Sequence, residues 1–240
     1  MVSFRSHLAN RKAAALKLFA AWALVVGFAL GTHRAAATDT NAVLDAWFSA
    51  QRNVQTWSAD FTQIRHFKTL TQPLLTAGRL WFAAPANFRW ELGVPAQTIA
   101  LRRDGDMFLI YPRLKRAEHY ALDSGAPREW RDAMALLNAG FPRNRTEFTA
   151  QFKVLSLVAT NREWQLRLEP TSKFARQWMP ELGLGLATND YALTRTELVF
   201  MDGSSMRSEF TNAVMNPLPD TNLFRWEPPA DFKVTTPLAK

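Results

Sequence analysis

Few residues in this 240-residue chain have the types and spacing that chemistry needs. Beyond the first 37 residues there are two histidines, His66 and His119, and neither sits in a metal-binding pattern of His, Asp and Glu. Asp60 and Glu91 are carboxylates that could act as acid and base in an exported lipid hydrolase. Arg89 and Glu91 share one strand face, which suits a cross-strand or solvated pair better than an acid–base couple. Asp104 and Asp106 flank Gly105, and a hairpin turn accounts for them better than catalysis. Arg113, Lys115 and Arg116 form a basic cluster that fits an anionic headgroup, an anionic partner or a solvated loop edge. The chain has no Gly-x-Ser-x-Gly elbow, no Gly-rich phosphate loop and no cysteine. No cofactor and no metal are expected, and an enzyme is not the expected reading.

What stands out instead is apolar. From Gly78 to Pro112, short strand-like runs carry aromatics on alternate positions, cut by Pro85, Pro95 and Asp104-Gly105. Alternation puts Phe88, Trp90 and Leu92 on one strand face and Arg89 and Glu91 on the other. Trp57, Phe61, Leu80, Phe82, Phe88, Trp90, Ile99, Leu101, Trp164 and Leu166 are the candidates to line an apolar interior. Such a set makes either an ordinary packed core or a hollow that a lipid chain fills. Burying an acyl chain there is worth about 0.8 kcal/mol per CH₂.

The elements that must position these rings are mostly strands. Asp39-Thr40 reads as an N-cap, and Val43, Leu44, Trp47, Phe48 and Val54 follow at helical spacing, so a helix is predicted from Thr40 to Asn53. Period two begins at Trp57, and further strands are predicted over 74–83, 87–92, 97–103, 106–111 and 115–122. Pro127, the spacing of Trp130, Met134 and Leu137, and Gly140 predict a short amphipathic helix over 126–140. Strands are predicted again over 147–157, 163–169, 182–187, 191–200 and 204–211, and the proline-rich tail 223–237 should lie extended across an edge. The fold class is mainly β with a few helices: about eleven antiparallel strands that must curl, as an incomplete barrel, beneath helices that plug or cover it.

The first 37 residues are expected to be a cleavable signal peptide. Arg5, Arg11, Lys12 and Lys17 precede an apolar run from Leu18 to Leu30, and Ala35-Ala36-Ala37 offers a cleavage site before Thr38. This segment holds five basic residues and no acid, so the formal charge of +8 falls to +3 on its removal. That balance does not point to nucleic acid. A single exported domain, residues 38–240, is expected, built on its core without disulfides. The periplasm of a diderm bacterium fits that reading.

Four stretches, in order, resemble the periplasmic outer-membrane lipoprotein carriers of the LolA type. They are Ala59-Asp60-Phe61-Thr62-Gln63; Gly78-Arg79-Leu80-Trp81-Phe82 with Pro85 and Phe88-Arg89-Trp90; Asp104-Gly105 with the strand ending in Tyr111-Pro112; and 223–229 (LFRWEPP) with Val234. The resemblance implies an incomplete β-barrel closed by helices acting as a lid over an apolar cavity, with Trp130, Met134 and Leu137 on the lid. It implies a monomeric shuttle for acylated lipoproteins or other lipid cargo, between an inner-membrane ABC-type exporter and an outer-membrane acceptor. It also places Phe88 and Trp90 at cavity-facing positions and Phe88 at a position tied to the exporter. The chain departs from the family where proteobacterial members carry an arginine before the proline of the second stretch, for here the residue is Ala84. Arg79 and Arg89 are the nearby arginines that could replace it. A second feature, 68–75 (KTLTQPLL), resembles relatives associated with exporters of other lipids.

Overall fold

The computed structural model describes residues 39–122, 139–218 and 220–237. Asp39 caps the first helix, α1 (Thr40–Gln51), by accepting a hydrogen bond from the Asn41 amide at 2.9 Å. Val43, Leu44, Trp47, Phe48 and Gln51 form its buried stripe.

Twelve strands follow and make one sheet. They are β1 (Thr56–His66), β2 (Leu74–Ala83), β3 (Asn87–Leu92), β4 (Thr98–Arg103), β5 (Asp106–Tyr111), β6 (Arg116–Ala121), β7 (Phe152–Ala159), β8 (Glu163–Pro170), β9 (Glu181–Ala187), β10 (Leu193–Val199), β11 (Ser205–Met215) and β12 (Lys233–Thr235). Their order across the sheet is β12-β6-β5-β4-β3-β2-β1-β11-β10-β9-β8-β7. Two runs of hairpins therefore meet where β1 pairs with β11. Every pairing is antiparallel except that of β12 with β6. The sheet curls without closing, since β7 and β12 remain its edges. Hairpin turns fall where glycine pairs predict them: Asp104 has φ 53° and Gly203 has φ 80°.

The predicted strand over 147–157 begins as a helix instead. α2 (Arg145–Gln151) is capped by Asn144, whose Oδ1 accepts from the Glu147 amide at 2.8 Å. Asn144 followed three residues later by Glu147 is a helix-start spacing, and it overrides the β-prone residues beyond it. α3 (Lys173–Trp178), capped by Ser172, is a helix that strand periodicity did not predict. The helix predicted over 126–140, with Trp130, Met134 and Leu137, lies outside the described residues apart from Ala139 and Gly140, which form a turn.

The sheet buries both faces unequally. Its inner face shares one large apolar cluster with Leu44, Trp47 and Phe48 of α1 and Phe148 of α2. A smaller cluster of Ile99, Leu101, Ile110, Ala117 and Phe224 lies on the outer face of β4–β6, beneath the C-terminal tail. The tail is held there by Arg89, which donates to the Leu223 carbonyl at 3.2 Å, and by a Lys115–Asp231 pair at 2.8 Å. A Phe224→Asp variant is expected to lose about 3 kcal/mol of stability. Its tail should also become cleavable by trypsin at Arg225 and Lys233 in otherwise native protein. Urea denaturation and timed proteolysis measure the two effects, and a protected tail would show that Phe224 does not anchor it.

Candidate functional site

Cross-strand register builds the inner face residue by residue. Trp57 stands opposite Phe82, Ala59 opposite Leu80 and Phe61 opposite Gly78 across β1 and β2. Phe82 stands opposite Phe88 and Leu80 opposite Trp90 across β2 and β3. On the other side of β1, Phe61 stands opposite Phe210 of β11. The rings meet in pairs: Phe61 with Trp90 at 4.6 Å between centroids, Trp57 with Phe210 at 5.3 Å, and Phe82 stacked on Phe141 at 4.4 Å. The far half of the sheet continues the wall with Trp164, Leu166 and Leu168 of β8 and Leu182, Leu184 and Leu186 of β9.

Eight of the ten predicted lining residues thus share one face: Trp57, Phe61, Leu80, Phe82, Phe88, Trp90, Trp164 and Leu166. Ile99 and Leu101 do not. They lie on the opposite face of β4, in the outer cluster under Phe224. The register decides this, because Ala100 stands opposite Trp90 and so takes the inner position, leaving its neighbours outside. Trp57, Phe61, Leu80, Phe82, Phe88 and Leu166 are buried, whereas Trp90, Trp164 and Phe210 are half-buried, as are Leu92 and Leu109. Two clefts of about 260 and 230 Å³ border this core where Pro85, Phe141, Pro142 and Arg143 meet.

Several polar atoms on or beside the wall are buried without partners among the described residues. Trp47 Nε1, Trp57 Nε1, Trp164 Nε1, and Nε and Nη1 of Arg102 are buried without a hydrogen-bond partner among the described residues. All are donors. Arg102 was not singled out by the sequence; its inner position follows from alternation with Leu101 once the face of Leu101 is known. Burial pulls its guanidinium below the usual value. Burial and a hydrogen bond from its own hydroxyl to Glu118, at 2.7 Å, push the Tyr120 phenol well above its ordinary value.

The candidate acid–base groups face the other way. Asp60 lies 3.4 Å from Arg79 and accepts from Asn212 at 2.9 Å. Glu91 is paired with Arg89 at 2.6 Å. Asp60, Arg79 and Glu91 form one outer-face row, so both carboxylates are committed to arginines. Arg79 and Arg89 are therefore outer-face residues, and neither reaches inward to replace the arginine missing at Ala84. His119, isolated in sequence, meets Asp106 at 2.6 Å across the β5–β6 hairpin and stacks on Phe108. Among the described residues no three metal-ligating side chains gather. Of the basic cluster, Lys115 holds the tail and Arg116 pairs with Glu118.

Residues 52–227 match the family model described as "Outer membrane lipoprotein carrier protein LolA". No curated protein matches the sequence. Among solved structures, a putative outer membrane lipoprotein-sorting protein domain from Vibrio parahaemolyticus is similar at 11% identity and a TM-score of 0.43, over 76% of this chain and 94% of that one. A LolA superfamily protein from Nitrosomonas europaea is similar at 10% identity and a TM-score of 0.40, over 78% and 97%. The MucA/MucB complex of Pseudomonas aeruginosa contains a chain similar at 16% identity and a TM-score of 0.44, over 81% and 62%.

Proposed function

Since the chain belongs to the LolA family of outer membrane lipoprotein carriers, we propose that it is a periplasmic carrier that shelters acyl chains against the inner face of its curled sheet. The observation that carries this reading is the half-buried state of Trp90, Trp164 and Phe210 on an apolar wall whose neighbouring rings Trp57, Phe61, Phe82 and Phe88 are buried. Rings left partly uncovered are surface that an acyl chain can cover, at about 25 cal/mol for each Å² removed from water. On this reading the first 37 residues are the export signal. The cargo is an acylated lipoprotein, received from an inner-membrane ABC-type exporter and passed to an outer-membrane acceptor. Trp130, Met134 and Leu137 belong to the lid that yields to it. The commitment of Asp60 and Glu91 to outer-face ion pairs supports carriage over hydrolysis.

A free lipid or glycolipid is the second reading of the cargo. Ala84 motivates it, because the chain departs there from the lipoprotein-carrying members and both nearby arginines are held on the outer face. Mass spectrometry of protein purified gently from its own envelope separates the two. Acylated polypeptide supports the first reading, free lipid the second, and protein that carries neither counts against both. In the same preparation, a Trp90→Asp variant should retain about one-tenth or less of the bound acyl chains, since a charge at a half-buried inner position repels them more than it unfolds the protein.

A further inference from the structure

Arg102 is a half-buried charged side chain with no counterion among the described residues, in an otherwise apolar row. It stands opposite Phe88 on β3 and Met107 on β5, and Met107 stands opposite Tyr120 on β6. Phe88, Met107 and Tyr120 are all buried members of the inner cluster. Two of the three guanidinium nitrogens, Nε and Nη1, have no solvent contact and no hydrogen-bond partner among the described residues. The carboxylates on or beside β3 to β6 among the described residues are engaged elsewhere. Asp104 lies 3.8 Å from Arg103, Asp106 is on His119, Glu91 is on Arg89, and Glu118 takes both Arg116 and the Tyr120 hydroxyl. A guanidinium does not lose its proton to escape such a site. Guanidinium nitrogens shut off from water and left without a partner are unfavourable, and an anion from outside would satisfy them.

The geometry points to Arg102 as the anion-binding residue of the inner face, recognising a phosphate or carboxylate of an acylated ligand whose chains lie along the adjoining rings. The inference rests on the carrier reading and narrows its cargo to an anionic lipid or a lipid-bearing molecule with an acidic group near its chains. A guanidinium fork suits such a group, because two parallel N–H donors meet two oxygens of one phosphate or carboxylate. The row explains the placement as well. Phe88 and Met107 flank Arg102 on both sides.

The test uses the mature full-length protein, stripped of lipid, with two probes that have the same chains: dioleoylphosphatidic acid and dioleoylglycerol. The wild type should bind the phosphatidic acid about tenfold or more tightly than the diacylglycerol. Arg102→Met should erase that preference while leaving the diacylglycerol affinity within about twofold. It should also raise the melting temperature of the lipid-free protein, because it removes two buried donors that lack partners. Equal affinity for the two lipids in the wild type overturns the anion site and leaves the carrier reading standing. Failure to bind either lipid counts against the carrier reading itself. A melting temperature that falls in Arg102→Met means that the guanidinium is paired within the chain, and overturns the inference. Inorganic phosphate that protects the wild type as well as the phosphatidic acid does would make this a free-anion site, and overturns the lipid assignment.

Discussion

A Gly78→Ala variant is expected to lose about 3 kcal/mol of stability, although a single methyl group is added. Gly78 stands directly opposite Phe61 on β1 and Leu92 on β3. The Phe61 ring lies over it, and a Cβ there would overlap both that ring and the Glu91 backbone carbonyl. The ring could swing aside, but the carbonyl belongs to the β2–β3 ladder and cannot move without breaking it. Phe61 in turn touches Trp90 and Phe210, so displacing it disturbs the centre of the inner wall. Gly105 is the control, for a Cβ at that turn meets nothing within 4 Å. Gly105→Ala should therefore change the urea midpoint little. If the two substitutions had equal effects, the close approach at Gly78 would not be what the fold depends on.

Charge placed at Phe88 should be harmful to a degree that depends on its sign. Phe88 and Arg102 are directly opposed on β3 and β4, so a new charge at 88 is a cross-strand neighbour of the guanidinium. Phe88→Lys puts a second cation there in addition to losing the ring, and is expected to cost about 5 kcal/mol or more. Phe88→Glu loses the same ring but provides the anion that Arg102 lacks, and should be about 2 kcal/mol less harmful than the lysine. In an Arg102→Met background the order should reverse or vanish, since glutamate then has no partner. Denaturant midpoints of the four proteins close the cycle. A Phe88→Glu protein that folds should also be unable to discriminate the phosphatidic acid from the diacylglycerol, because its own carboxylate occupies the fork.

Several elements were legible in the sequence for plain reasons. β2, β3 and β5 have their predicted bounds because period-two burial is a local property. The Asp39 cap and the Val43–Phe48 stripe fix α1 in the same way. α2 was misread because the aromatic and β-branched residues after Glu147 outweighed a capping signal at Asn144 that was there to be seen. α3 is six residues long, too short for periodicity to register.

The sequence by itself determined which residues alternate and therefore which side chains share a face within each strand. Phe88 with Trp90, Ile99 with Leu101, and Arg89 with Glu91 are pairings that no tertiary contact could alter, because successive side chains of a strand point to opposite sides. Only the tertiary structure decided which of a strand's two faces turns inward. That choice is made by register between strands far apart in sequence, and a shift of one residue would have exchanged Ile99 and Leu101 for Ala100 and Arg102. It moved two aliphatic residues beneath the C-terminal tail and brought an arginine to the inner wall. Both outcomes follow from pairing geometry, which composition does not record.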